Sequence, residues 1–177
     1  ARAGVSRESI GGQLPADPLS HVQGPVAVPA RAAATPPAGD TANSLLASLP
    51  AETYQRLFAD LEPVKLTFGE VLFEPGTRIK HAYFPVNCLV ALLTTVRGHR
   101  GLEVGLVGHE GMVSTALALG LQESPARAVV QASGVALRMD VQRFREEILQ
   151  CVPFQKALFR YTHALMAQIA QTAACNQ

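Results

Sequence analysis

The chain has 177 residues, 15 Lys and Arg against 14 Asp and Glu, and a formal net charge of +1. Nearly half of it is apolar, enough for one full core. The scattered arginines and balanced charge exclude a dedicated nucleic-acid surface here, which needs clustered cations. No apolar run approaches the ~20 residues of a membrane span, and the start carries no secretory apolar core. Cytoplasmic residence is therefore expected. The first residue is not methionine, and the last residues carry no helix stop, so the sequence reads as a piece of a longer chain.

Residues 1–40 are rich in Ala, Pro and Gly, with Pro36-Pro37 and few large apolar side chains. Such a composition cannot offset chain entropy, and a disordered tail is expected. Leu45, Leu46 and Leu49 then fall on one helical face behind Asn43, a candidate N-cap. Pro50 suits the start of a second helix carrying Tyr54, Leu57, Phe58 and Leu61. From Pro63 the pattern alternates. Val64, Leu66 and Phe68 form one strand, and Val71–Phe73 another, closed by Glu74-Pro75-Gly76. Ile79–Val86, Cys88–Val96, Leu102–Val107, Ala128–Ala132 and Val135–Met139 continue the series, with a hairpin at Arg97–Gly101. Many short strands with frequent turns predict a sandwich or jelly roll. Asp140 caps a helix carrying Val141, Phe144, Ile148 and Leu149, which ends before Pro153.

After Pro153 no breaker appears. Phe154, Leu158, Tyr161, Leu165, Gln168 and Thr172 recur in steps of four and three, a heptad seam. Phe159, Thr162, Met166, Ile169 and Ala173 form a second stripe. The first seam is expected to bind a second copy of the chain, giving a homodimer.

The segment 103–132 carries the densest information. Gly105, Gly108, Gly111 and Gly120 punctuate an apolar run, followed by Ser124-Pro125, Arg127 and a β-branched strand. This predicts strand, tight turn, short helix, loop, strand. A turn leading into a helix offers N–H groups to an anion, and an arginine one strand away offers charge. The candidate ligand residues are Gly108, Glu110, Gly111, Met112, Val113, Arg127 and Ala128. The plain structural alternative is a hairpin connection whose helix fills a barrel mouth.

This layout resembles the phosphate cassette of cyclic-nucleotide-binding domains, as found in the sensor domain of Crp/Fnr-type bacterial transcription regulators. Gly69-Glu70-Val71-Leu72-Phe73-Glu74-Pro75-Gly76 resembles that family's first strands and glycine turn. Ala82-Tyr83-Phe84-Pro85, Gly105–Met112 and Ala170–Asn176 resemble pieces of one proteobacterial subgroup. The resemblance covers residues 42–177. It implies a mainly β fold with flanking helices, a double-stranded β-helix (jelly-roll β-roll) plus a long C-terminal dimerisation helix. The implied domains are the tail 1–40, the roll 41–152 and the helix 153–177, with DNA bound only through a winged domain absent from this sequence.

In nucleotide-binding members a glutamate after the cassette glycine accepts from the ribose, and an arginine pairs with the cyclic phosphate. Here Met112 follows Gly111, and a thioether is a weak acceptor. Arg127, beside Ala128, matches the arginine, with strand parity left open. The implied function is a ligand-sensing regulatory domain with a degenerate cassette and an effector still to be identified. The alternatives are a working cyclic-nucleotide module and a ligand-free dimerisation scaffold.

Other chemistry finds little support. Cys88, Cys151 and Cys175 have no metal-ligand spacing, and residues 1–87 contain no cysteine cluster, so no metal and no resident cofactor are expected. His81 and Cys88 suit a haem by residue type alone. No nucleophile-elbow, zincin or P-loop pattern occurs, and no enzyme is expected.

Overall fold

A computed structural model of the chain describes residues 42–94 and 101–175. The expectations for the tail 1–40 and for the Arg97–Gly101 hairpin lie outside these residues. Two short helices come first, α1 (Ser44–Ala47) and α2 (Ala51–Phe58). Strands β1 (Glu62–Leu66), β2 (Val71–Phe73), β3 (His81–Pro85), β4 (Leu89–Thr94) and β5 (Leu102–Val107) follow. A single-turn helix α3 (Thr115–Ala118) separates them from β6 (Arg127–Ala132) and β7 (Gly134–Asp140). The chain continues into α4 (Val141–Gln150) and α5 (Val152–Cys175).

The strands form two antiparallel sheets, β1-β7-β3 and β2-β6-β4-β5. Together with the long last helix they make the expected jelly-roll β-roll with flanking helices. The turn signals act as read from the sequence. Gly69 and Gly76 both take positive φ, +82° and +73°, where an L side chain is strained. Phe68 leaves the alternation of β1 and is 73% exposed at the turn. Pairing register puts Glu62, Tyr83 and Arg138 in one row, and Val64, Pro85 and Ala136 in the next. Phe73 of the other sheet meets the Tyr83 ring edge-on at 5.8 Å, so this face looks across the roll. The opposite face presents Phe84, whose ring lies 6.4 Å from Phe154 of α5.

Helix α5 sits on the roll along the seam expected to face a partner. Phe154 and Leu158 are fully buried, Leu165 nearly so, and Tyr161 half-buried, all within one chain. Phe154 also meets Phe144 of α4 edge-on at 5.6 Å. Gly105 of β5 supplies the low point where Ile169 and Leu165 approach, 3.5 and 3.8 Å from where a Cβ would stand. The expected dimer seam is thus corrected: its first four members pack on the chain's own strands. Gln168 is exposed and Thr172 partly so, because the helix outruns the roll there. The apolar row left outside is Val152, Phe159 and Met166, 56%, 47% and 63% exposed and seven residues apart. Of the second stripe, Thr162 is buried.

Helices α2 and α4 are joined by charge. Glu147, 2% exposed, accepts from Arg56 Nη2 at 2.9 Å and pairs with Arg143 Nη2 at 3.2 Å. Arg143 Nε also reaches Asp60 at 2.8 Å. A buried carboxylate with two guanidinium partners is matched, and removing either arginine would leave it less so.

Asn43 fixes α1 to the roll. Its Oδ1 accepts from Leu46 N–H at 3.1 Å, the expected cap. Its Nδ2 donates to Pro85 O at 2.9 Å and Gly111 O at 2.7 Å, a role that the cap signal did not announce. Asn43→Ala is expected to cost about 2–4 kcal/mol, from a lost cap and two stranded carbonyls. Asn43→Asp keeps the cap oxygen but cannot donate, and should be nearly as damaging. Urea denaturation of both variants checks this; an aspartate variant as stable as wild type would show that the two donated bonds contribute nothing.

Candidate functional site

The segment 103–132 folds as read: β5, a turn at 108–111, α3, a loop through Gly120 at φ +79°, and β6. The turn is built from its own hydrogen bonds. Gly108 N–H donates to Glu110 Oε1 at 2.9 Å, and Gly111 N–H donates to Gly108 O at 3.3 Å. Val113 N–H donates to Tyr83 O at 2.8 Å, so the segment runs along the edge of β3. His109 O accepts from Ser44 N–H at 2.7 Å, which closes α1 over the turn. An anion cradle needs donors aimed at the ligand. Here the amides of Gly108, Gly111 and Val113 already have protein partners. Ser114, before α3, holds φ +82° without being glycine, a conformation costing about 1–2 kcal/mol.

The candidate side chains separate. Met112 is fully buried, Val113 and Ala128 are 1% exposed, and all three belong to the continuous core. Glu110 is exposed and turned back onto Gly108. Along β6, Ala128 and Val130 point inward and Arg127 outward. Arg127 Nε lies 3.1 Å from Glu74 Oε1, with both side chains about half exposed, 46% and 50%. Parity settles against a cation beside the turn, and an exposed pair of this kind is worth about 0–1 kcal/mol.

Gly111 is required for a reason other than phosphate approach. A Cβ at this position would clash with the hydroxyl-bearing edge of the Tyr161 ring, at Cε2, Cζ and the phenol oxygen. The phenol oxygen of Tyr161 is buried without a well-formed hydrogen bond; burial, followed by the charge of Glu110 and only partly offset by the Met112 backbone amide, drives its pKa well above the usual tyrosine value. The neutral phenol is therefore the resident form.

Two constellations escaped the sequence reading. The first is the row Glu62, Arg138, Tyr83 on the face that looks across the roll, with the His81 ring 6.1 Å from Tyr83. Arg138 Nη2 donates to Glu62 Oε2 at 2.7 Å, while Arg138 Nε is buried without a partner. Burial, aided by the Arg138 charge, lowers the His81 pKa and keeps the ring neutral near pH 7. The only signal for this row is register, fixed when β1 and β3 both pair with β7. The second is an open groove of about 550 Å³ between α1 and α5, edged by Glu110, Lys156 and Arg160.

No protein-family model matches this chain, and no curated protein matches its sequence. Solved structures do. The N-terminal domain of a transcriptional regulator from Streptomyces coelicolor is 19% identical with TM-score 0.55, over 75% of this chain and 94% of that one. The c-di-GMP responsive global regulator CLP of Xanthomonas campestris is 14% identical with TM-score 0.60, over 71% of this chain and 63% of that one. The catabolite activator protein of Thermus thermophilus is 19% identical with TM-score 0.54, over 75% and 61%. The chain thus spans under two thirds of the length of those two regulators. These likenesses establish the fold: the cyclic-nucleotide-binding type of β-roll with its long following helix, as the resemblance to Crp/Fnr-type sensor domains implies. No described helix is long and apolar enough to cross a membrane.

Gly111→Ala is expected to lower stability by about 1–3 kcal/mol through the clash with Tyr161. Tyr161→Ala in the same background should recover part of that loss. Thermal melts of the three variants check it. Additive losses, with no recovery, would show that the ring and the glycine are not in contact.

Proposed function

We propose that the chain is the effector-responsive regulatory domain of a Crp/Fnr-like transcription regulator, with a cassette that keeps its shape but not its nucleotide chemistry. The observation that carries this reading is the dispersal of the cassette. Met112 stands buried in the core where a ribose acceptor would be needed, and Arg127 is paired outward with Glu74. A cyclic nucleotide needs an acceptor and a cation converging on one low-dielectric pocket, and a site missing such partners discriminates strongly against the ligand. The likeness to regulators supports a regulatory role rather than a catalytic one. DNA, in this reading, is engaged through a separate domain, and the protein works in the cytoplasm.

The working cyclic-nucleotide module is disfavoured by the same dispersal. Titration calorimetry with cyclic AMP and cyclic GMP is expected to show no sub-micromolar binding. Each lost charged partner costs about 1.5–3 kcal/mol, or roughly ten- to a hundredfold in affinity. Tight binding by either nucleotide would overturn the degenerate-cassette reading.

The proposed partner is a second copy, now through the outer row of α5. Val152, Phe159 and Met166 recur at the heptad interval on the face away from the roll, and Ala170, Ala173 and Ala174 leave room for a close helix. Phe159→Asp with Met166→Asp should give a folded monomer. Leu158→Asp should instead unfold the chain, because it places a charge in the core. Sedimentation and circular dichroism separate the outcomes: a dimer that survives the paired substitution rules out this face.

A further inference from the structure

The groove between α1 and α5 belongs neither to the cassette nor to the outer row of α5. It has about 550 Å³ of space, within the range of small-molecule sites. Its lining is divided. Leu45, Leu49 and Ala157 give an apolar floor, while Lys156 and Arg160, one turn apart on α5, stand at the rim. Among the described residues neither cation is ion-paired, whereas Arg56, Arg127, Arg138 and Arg143 each have a carboxylate. Glu110, the acidic group of the rim, spends one oxygen on Gly108 N–H. Tyr161 also lines the groove, with its phenol oxygen buried and without a well-formed hydrogen bond.

We infer that this groove binds a small amphipathic carboxylate, its head held by Lys156 and Arg160 and its apolar body lying on Leu45, Leu49 and Ala157. Charge selects the ligand's sign, since two cations without an ion pair among the described residues share the rim with one carboxylate. The rim's net single positive charge suits a monoanion better than a doubly charged phosphate. The apolar floor requires a hydrocarbon or aromatic body, because a purely polar anion would strip water from that floor's rim without covering it. Unlike a ligand inside the roll, this one would touch the cassette turn at Glu110 and helix α5 together. The site rests on the groove's geometry alone and needs no assumption about DNA.

The test uses the full chain, with decanoate below its micelle-forming concentration and decanol below its solubility limit as probes. Calorimetry should show saturable decanoate binding and at least about tenfold weaker decanol binding, the difference being the charged head. Lys156→Gln with Arg160→Gln, both at exposed positions, should weaken decanoate by about tenfold or more while leaving the melting temperature and dichroism unchanged. Ser48→Trp, filling the groove from its exposed rim, should abolish binding of both probes. Equal affinity for the two probes, an unaltered decanoate affinity in the double variant, or no saturable binding below millimolar would each overturn the site. So would binding that weakens as protein concentration rises, which would assign the groove to a second copy. Failure of decanoate removes the groove and leaves the regulatory reading intact; tight binding of cyclic AMP does the reverse.

Discussion

The closeness of α5 to the roll governs the rest of the molecule. A helix cannot lie on a sheet edge and a turn unless something gives way beneath it, and two glycines do. Gly105 admits Ile169 and Leu165, and Gly111 lies under the Tyr161 ring. Nearer the start of the helix Phe154 and Leu158 are fully buried, and Phe154 meets rings from both β3 and α4. Burying side chains of this size is worth about 1.5–3 kcal/mol each. The same turn is tied to α1 by Asn43 and by the Ser44–His109 bond. Turn, first helix and last helix therefore form one packed unit. Close-packed interiors resist continuous deformation, so the turn and α5 share one set of packing constraints.

That packing gives the proposed degenerate cassette a physical meaning. In a phosphate cradle the backbone donors of the turn wait for a ligand. Here three of them, the amides of Gly108, Gly111 and Val113, are taken by Glu110, Gly108 O and Tyr83 O. Met112 fills space in the core that a ligand would otherwise claim. The turn no longer has a reason to stay open, but it still has a reason to keep its shape, because Tyr161 rests on it. The glycine at 111 is a case in point: the sequence pattern reads as ligand approach, and the structure assigns it to ring packing.

Much of the fold is legible in residue order. Alternation and turn residues place the strands to within a residue or two; Val71–Phe73 and Leu102–Val107 agree fully with the observed ranges. Asn43 and Asp140 cap the helices they precede, accepting from Leu46 and Gln142 N–H. Pro153 stands in the first turn of α5, where its missing donor costs nothing. What failed to show is everything that needs parity or distance. One residue of strand phase decides whether Arg127 faces the roll or Glu74, and a β-bulge or a loop of uncertain length shifts that phase. The two stripes of α5 are both apolar, and only the sheet beneath shows which is inner. The groove draws its walls from residues 44–50, 110 and 153–161, so no local window contains it.

The two faces of α5 also explain its composition. The inner seam carries the bulky members Phe154, Leu158, Tyr161 and Leu165 up to the point where the roll ends. Ile169 still packs onto the roll at Gly105, and beyond it the helix continues through Ala170, Gln171, Thr172, Ala173 and Ala174, small or polar on every side. A lone helical extension of this kind gains little from packing and is marginal in water. Helix propensity from the alanines helps, but only modestly. A second helix laid along Val152, Phe159 and Met166 would continue past the roll's end and shelter the extension, turning a weakly held segment into half of a paired one. Small residues suit that arrangement, since they let two backbones approach closely. In the proposed dimer the helix would touch the turn through Tyr161 on one face and its partner on the other, so that α5 would carry a change at the roll to a second subunit.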